Sequence, residues 1–334
     1  MPQMTKEKIN NIKEPLAISP RQIVFCFMSV FSLALIVRNS DVAIKYMYDG
    51  LFLCVRTVIP SLFPFMVISD MLVRSGAVTL VSKVLALPMK ALFGVSGEGG
   101  CAVLLGTLCG FPIGAKCTIA IYDKGSISKE ELERLLTFSN NPSSAFIISA
   151  VGVSLFGSRE LGVKLYIMTL LSALIVGLAQ NVIFRIKEKK GSRPNCDSAP
   201  TNINHSEKHK FGIEDFTESV GSSALSLLKI CAFVVFFTAF LGTLSSAAEA
   251  LSISQGLRAF IFGFFELTGG MVQASAVTPT QAGIALAAFI SGWSGISVHL
   301  QIMSICADRD ISFKPYFGAK LCQAILCSAL FLII

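Results

Sequence analysis

The stretch SALSLLKICAFVVFFTAFLGTLSS, residues 223–246, is apolar over nearly its whole length. A helix of about 20 apolar residues crosses a hydrocarbon core of about 30 Å, so this stretch alone predicts a membrane span. Nine more apolar stretches fill most of the chain, at residues 23–37, 51–73, 77–94, 101–122, 135–157, 162–184, 257–278, 282–306 and 316–334. Together they predict a polytopic integral membrane protein.

The composition agrees with that class. Hydrophobic residues make up 53% of the 334 residues and charged residues 15%, whereas a soluble domain carries about 25% charged residues. The net charge of +7 is modest, and the basic excess lies mainly at the edges of apolar stretches, so we expect no nucleic-acid partner. The stretches lack the two-residue alternation of barrel strands, which predicts an all-α fold.

Basic clusters predict the orientation and divide the chain. Lysines and arginines precede the first apolar stretch, and another basic cluster at Arg185–Arg193 opens a long polar stretch. The positive-inside rule places both on the cytoplasmic side. We therefore predict a cytoplasmic segment at residues 1–21, a first span plus a first membrane half at 22–184, a cytoplasmic linker at 185–222 and a second membrane half at 223–334.

The two predicted halves begin on opposite sides of the membrane, as an inverted repeat requires. Glycine-rich echoes support a repeat, because Leu92–Gly100 resembles Ile261–Gly270 and Gly106–Gly110 resembles Ser291–Gly295. Six apolar stretches separate the two cytoplasmic regions, so either all six cross or two of them are re-entrant. We predict about 8–10 membrane segments in two inverted repeats.

Several stretches contain residues that interrupt membrane helices. Gly110, Pro112 and Gly114 lie inside 101–122, and Ser139-Asn140-Asn141-Pro142 opens 135–157. Broken backbone at membrane depth is tolerated only where it is buried in protein or lines a wet cavity. Transporters build their binding sites from such broken or re-entrant helices, so these interruptions predict a site.

Two ionisable residues are the sharpest candidates, because a charge at the centre of a span costs at least about 2.5–3.5 kcal/mol. Lys116 follows the interrupted backbone, where free amides and an ammonium group suit an anion or a polar ligand. The alternative is that Lys116 reaches an interface. Glu266 stands beside Thr268 and two glycines, and it suits cation coordination, proton relay or pairing with Lys116. The alternative for Glu266 is that it caps the tip of a helical hairpin at an interface.

The remaining candidates are uncharged. Ser139, Asn140 and Asn141 offer groups that hydrogen-bond a neutral ligand, and a helix start at the same place is compatible with that role. Trp293 beside Ser294 could stack on a ligand or belong to an interfacial belt. Arg56 and Asp70 are expected near helix ends or in internal pairs. The predicted substrate-binding residues are Gly110, Pro112, Gly114, Lys116, Ser139, Asn140, Asn141, Glu266, Thr268, Trp293 and Ser294.

The common enzyme signatures do not occur in the sequence. There is no Walker A motif, no His-Glu-x-x-His and no Gly-x-Ser-x-Gly, and only three histidines occur. We therefore expect no enzyme, no metal and no cofactor.

Four motifs resemble a known family: Pro60–Phe65, Gly110–Lys116, Ser139–Pro142 and Glu266–Gly269. They are similar to those of the YlbJ-type sporulation integral membrane proteins, within the nucleoside-recognition, or Gate, domain superfamily. The resemblance implies a multi-pass protein of the inner or forespore-surrounding membrane of an endospore-forming bacterium. It also implies transport of a small metabolite, which for YlbJ-type proteins is dipicolinate, a small aromatic dianion.

We therefore predict a membrane transporter of a small polar or anionic metabolite. Three alternatives stay open: a non-transporting assembly factor for spore maturation, a nucleoside transporter and an ion transporter. The expected partners are the lipid bilayer and a small-molecule metabolite such as dipicolinate. A homo-oligomer or an association with other sporulation membrane proteins stays open too.

Overall fold

The computed structural model describes residues 20–189, 212–247, 253–277 and 281–333, and its regular secondary structure in these ranges is helical. The first half contains α1 (Pro20–Arg38), α2 (Ser40–Leu53), the π-helical π1 (Cys54–Val58), α3 (Ile59–Arg74), α4 (Ala77–Phe93), α5 (Gly97–Leu108), α6 (Ile113–Asp123), α7 (Lys129–Ser139), the π-helical π2 (Ala145–Leu155) and α8 (Arg159–Lys189). The second half contains α9 (Ile213–Ala247), α10 (Gln255–Phe265), α11 (Leu267–Ala276), α12 (Gln281–Trp293), α13 (Ile296–Ile305) and α14 (Lys314–Ile333). The predicted all-α fold is confirmed.

Five helical stretches in the described residues are long and apolar enough to cross a membrane: Ser40–Arg74, Arg159–Ile186, Ile213–Ser246, Gln281–Ile305 and Lys314–Ile333. A sixth candidate joins Leu80–Phe93 to Gly97–Leu108 with a bend of 91°. Gln22–Arg38 and Ala145–Leu155 are shorter apolar helices. The chain is therefore a multi-pass membrane protein, and several of the predicted apolar stretches are interrupted helices.

The helices extend into the predicted linker at both ends. Helix α8 continues to Lys189, because Asn181 and Arg185 donate hydrogen bonds to the carbonyls that end α4, at Leu92 and Ala91. Helix α9 already begins at Ile213. Residues 190–211 and 1–19 lie outside the described residues, so the cytoplasmic placement of both segments stays a prediction.

Two pairs of consecutive helices form tight hairpins. Helices α5 and α6 pack together where a Cβ on Gly114 would lie 3.1 Å from Gly106 Cα. Helices α10 and α11 pack in the same way, because a Cβ on Gly270 would collide with the backbone of Gly263. Glycine at these positions lets each hairpin close, and the turns fall at Gly110–Pro112 and at Glu266.

Two other pairs are single helices with a break. Helix α7 stops at Ser139 and π2 resumes at Ala145, while α12 stops at Trp293 and α13 resumes at Ile296. Ser128 is the N-cap of α7, because its Oγ accepts a hydrogen bond from Glu131 N at 3.2 Å. The Glu131 carboxylate accepts from Ser96 N at 2.6 Å, so it joins the starts of α5 and α7.

Each half therefore has the same order of elements: a long helix, a hairpin, a broken helix and a second long helix. The first half has α1 and α4 as additions. The long helices α2–α3 and α9 lie antiparallel, because Gly50 packs on Val235 while Arg74 pairs with Glu218. An antiparallel pair of corresponding helices is compatible with an inverted repeat, which stays a prediction.

Candidate substrate site

One buried cavity of about 20 Å³ lies where the interruptions of the two halves meet. Phe111 of the first hairpin and Ser143 of the first broken helix form one side, and Glu266 and Ser297 of the second half form the other. The full lining is Val58, Leu62, Phe111, Ser143, Phe146, Ile230, Val234, Glu266, Leu267, Thr268, Ser297, Val298 and Gln301. We name it the central cavity.

The first hairpin turn packs directly on the first helix break. Gly110 has φ +81°, and a Cβ there would lie 2.6 Å from Ser143 N. The Phe111 amide donates a hydrogen bond to the Asn141 carbonyl at 2.9 Å. A Cβ on Gly114 would collide with the Ser139 carbonyl. Glycine is therefore needed here for close approach as well as for backbone freedom.

The second half repeats this packing. Gly295 has φ +85°, and a Cβ there would lie 2.9 Å from Leu267 N and 3.2 Å from Glu266 Cα. The break at Ser294-Gly295 is thus pressed against the turn at Glu266. In each half, a hairpin turn and a helix break support one another, and both turns reach the central cavity.

Glu266 is buried and caps the helix that follows it. Its carboxylate accepts hydrogen bonds from Thr268 N at 3.0 Å and from Gly269 N at 2.5 Å. Both Glu266 and Thr268 line the central cavity. The helix cap that the sequence left as an alternative therefore exists, and it stands at a cavity in the protein interior.

Asn140 and Asn141 are held by a group that sequence reasoning missed. Lys320 Nζ of α14 donates to the Asn140 carbonyl at 2.5 Å and to Gln323 Oε1 at 2.8 Å. Gln323 Nε2 in turn donates to Asn141 Oδ1 at 2.8 Å. Ser139 is fully buried beside them. These three break residues build the wall behind Ser143, and their side chains do not line the cavity.

Gln301 is a second residue that the sequence reasoning missed. It is 7% exposed and lines the central cavity, and its Oε1 has no hydrogen-bond partner in the described part of the chain. A buried amide oxygen without a partner is costly. The sequence did carry a signal for Gln301, because a polar side chain inside an apolar stretch needs a partner, as Lys116 and Glu266 do.

Lys116 lies between the two halves but does not line the central cavity. Its ammonium group donates to Ser226 Oγ of α9. Nearer the N-terminus of α9, Arg74 pairs with Glu218 at 2.8 Å and with Asp70 of its own helix at 2.7 Å. The internal pairing expected for Asp70 is therefore present, and these polar contacts join α3 and α6 to α9 at one end of the molecule.

Trp293 and Ser294 also lie away from the central cavity. The indole stacks on Phe264 with centroids 5.2 Å apart, donates to the Phe264 carbonyl at 2.8 Å and contacts the edge of His299. Ser294 has φ +74° and is buried in the break. The structure thus brings Glu266 and Thr268 to the cavity, with Gly110, Pro112, Gly114, Ser139, Asn140 and Asn141 in the framework around it.

Comparison with known proteins identifies the family. No family model matches the chain, and no solved structure matches it. The sporulation integral membrane protein YlbJ of Bacillus subtilis (strain 168) is 30% identical over 321 residues, covering 89% of this chain and 78% of the relative. Identity at that level over most of both chains means that the chain belongs to the YlbJ family of sporulation integral membrane proteins.

Proposed function

We propose that this protein is a transporter that moves a small polar or anionic metabolite through the central cavity. The observation that carries the proposal is the convergence of two hairpin turns and two helix breaks, from both halves, on one buried cavity. Interrupted helices at membrane depth expose backbone groups that lipid cannot satisfy, and secondary transporters use such groups to bind cargo.

The central cavity must open for cargo to enter. A volume of about 20 Å³ is enough for about one water molecule, whereas small-molecule sites hold about 300–1,000 Å³. The turns that line it meet the helix breaks through close glycine contacts and, at Phe111, a backbone hydrogen bond. Movement of one hairpin turn away from its helix break would enlarge the cavity without unfolding a long helix.

Dipicolinate is the cargo that the resemblance implies, and membership of the Gate superfamily stays part of this proposal. The polar side chains that face the cavity are Ser143, Glu266, Thr268, Ser297 and Gln301. Hydroxyl and amide groups suit a ring nitrogen or a carboxyl group of such a cargo. The Glu266 carboxylate is engaged by its own helix, which reduces its repulsion of an anion.

Flux through reconstituted vesicles tests the proposal. We expect the full chain to exchange labelled dipicolinate faster than protein-free vesicles do, with uridine as the comparison cargo. Gln301→Met removes the free amide at similar volume and should lower flux at least tenfold. Thr243→Val is the matched control, because Thr243 is also buried but bonds only its own helix, at the Ala239 carbonyl.

The outcomes separate the open alternatives. Faster uridine flux would favour a nucleoside transporter. No flux of any tested metabolite by well-folded protein would contradict transport and favour the assembly factor. Full flux by the Gln301 variant would mean that the cargo does not pass through the central cavity.

A further inference from the structure

Arg56 is a charge at membrane depth without an acidic partner. It lies near the middle of the 35-residue stretch Ser40–Arg74, in the π-helical segment π1. No carboxylate in the described residues lies within ion-pair distance, and its guanidinium carbon is 5.6 Å from the centroid of the Phe52 ring. The expected position near a helix end is therefore wrong for Arg56. A mid-span charge calls for water or a counter-charge.

Arg56 faces a cavity of about 450 Å³ between π1, α3 and π2. This volume falls in the range of small-molecule sites. Five hydroxyl side chains line it, from Thr57, Ser61, Ser144, Ser149 and Ser154, and Arg56 is its one charged residue among those that the structure describes. We name it the Arg56 cavity. Two of its walls are π-helical, a rare geometry that occurs often at functional sites.

The lining of the Arg56 cavity fits an anion. A guanidinium group binds a carboxylate with two parallel hydrogen bonds, and hydroxyl groups can donate further ones. The hydroxyls of Thr57 and Ser149 make no hydrogen bond to the described part of the chain, so both are available. Ser144 and Ala145, at the start of π2, also line the cavity. The backbone amides at the start of a helix favour negative charge.

A second cavity on the other side of Arg56 fits an anion less well. It holds about 320 Å³ and shares Arg56 and Thr57 with the first, but Asp49 lines it as well. The Asp49 carboxylate would repel an anion and reduce the attraction of the guanidinium group. The Arg56 cavity is therefore the better anion site of the two.

The Arg56 cavity adjoins the central cavity along two chain segments. Thr57 faces the first and Val58 the second, and Ser144 faces the first while Ser143 faces the second. The Arg74–Glu218 pair lies beyond both cavities, at the C-terminal end of the stretch Ser40–Arg74. An anion bound at Arg56 would therefore be separated from the central cavity only by these two chain segments, whose neighbouring residues face the two cavities.

We propose that the Arg56 cavity is an anion-binding site that receives a small dicarboxylate before it reaches the central cavity. The part of this inference that concerns cargo rests on the proposed function, but the anion site itself does not. A lipid phosphate shares the recognised chemistry, so the test must distinguish a dissolved carboxylate from a headgroup.

Calorimetry with the full chain in phosphatidylcholine nanodiscs tests the site. The probes are pyridine-2,6-dicarboxylate and the neutral pyridine-2,6-dicarboxamide. We expect Arg56→Gln to weaken dicarboxylate binding at least tenfold, Arg56→Lys to weaken it less and Ser149→Val to weaken it several-fold. Lys45→Gln removes a positive charge from an exposed position of the same helix, outside both cavities, and should leave affinity within twofold.

Nanodiscs that contain phosphatidylglycerol separate the two anion sources. A lipid headgroup at the site would compete with dicarboxylate in wild type, and native mass spectrometry would find phosphatidylglycerol retained by wild type and lost from Arg56→Gln. Unchanged binding of both anions in a folded Arg56→Gln variant would overturn the proposal. So would equal loss in Lys45→Gln, which would indicate bulk charge.

The same proteins separate this inference from the proposed function. Dicarboxylate binding that depends on Arg56, together with no flux in vesicles, would leave the anion site standing and contradict transport. Flux with a KM that does not change in Arg56→Gln, and unchanged binding, would keep transport and overturn the anion site.

Discussion

At the scale of single residues, the central cavity depends on side chains whose partners lie far away along the chain. An ionisable group within a membrane span is costly at Lys320 as it is at Lys116. Lys320 was missed although Gly318-Ala319-Lys320 repeats the pattern of Gly114-Ala115-Lys116, and its partner Asn140 is 180 residues distant. The cost predicted that such a lysine needs a partner, but only the fold could show which one.

Two glutamines of α13 and α14 offer a direct comparison of a paired and an unpaired amide. Gln323→Met leaves Asn141 Oδ1 without its donor and removes an acceptor of Lys320. Unsatisfied buried groups cost about 1–3 kcal/mol each, so this variant should unfold at a clearly lower temperature. Gln301→Met removes an oxygen that has no partner and should leave the unfolding temperature nearly unchanged.

Thermal unfolding in detergent measures both variants. Lys314→Met serves as a control at an exposed position of α14. A loss of stability in Gln301→Met as large as in Gln323→Met would mean that the Gln301 amide has a structural role, which would weaken its assignment to cargo binding.

At the scale of elements, the sequence predicted where helices are interrupted better than whether each interruption is a hairpin turn or a break in one helix. Gly110–Pro112 and Asn140–Pro142 were identified as interruptions, and a cap at Glu266 was the alternative to a binding role there. Whether a break reverses the chain into a hairpin or continues as one broken helix depends on tertiary packing, such as the approach of Gly106 to Gly114. The long helices and their order followed from hydropathy, because length and apolarity are local properties.

Two glycines with positive φ separate backbone freedom from close packing. Gly110 and Gly125 have φ +81° and +72°, but a Cβ on Gly110 would lie 2.6 Å from Ser143 N, whereas nothing lies within 4 Å at Gly125. Alanine at either position pays about 1–2 kcal/mol for left-handed backbone. Gly110→Ala adds an overpacking cost of about 1–3 kcal/mol.

We therefore expect Gly110→Ala to lower both the unfolding temperature and the flux, and Gly125→Ala to lower the unfolding temperature slightly and preserve flux. Equal behaviour of the two variants would show that the first hairpin turn is not pressed against the helix break in the membrane.

At the scale of the whole molecule, contacts between turns support the inverted arrangement that the sequence predicted. The turn after α13 bonds the turn after α6, through Arg309 to Asp123 and through Lys129 to Asp310 at 2.9 Å. The hydrogen bond from Lys129 also holds the pKa of Asp310 below its usual value. These two turns share one side of the membrane, yet they do not occupy corresponding places in the two halves.

The contact between these two turns also determines on which side of the membrane the other turns lie. If each broken helix crosses the membrane, the turn after π2 lies on the side opposite to the turn after α6. Because α12 and α13 together also cross, the start of α12 lies on the other side of the membrane from the start of α7, which is its counterpart. Corresponding elements would run in opposite directions in the two halves, which is the definition of an inverted repeat. The echoes between Leu92–Gly100 and Ile261–Gly270 do not follow this correspondence, because they pair the start of one hairpin with the turn of the other.

Cysteine labelling in intact cells of a bacterial expression host tests this arrangement. In a background where Cys26, Cys196 and Cys322 are replaced by serine, an impermeant maleimide should label Glu160→Cys and Gln281→Cys from outside. Lys124→Cys and Asp308→Cys should react only after permeabilisation, because their turns share the side predicted to be cytoplasmic. All four positions are exposed on turns or helix starts, so accessibility reports sidedness. Labelling of Lys124→Cys and Gln281→Cys from the same side would refute the inverted repeat, whereas a complete exchange of the two pairs would keep the repeat and reverse the predicted orientation.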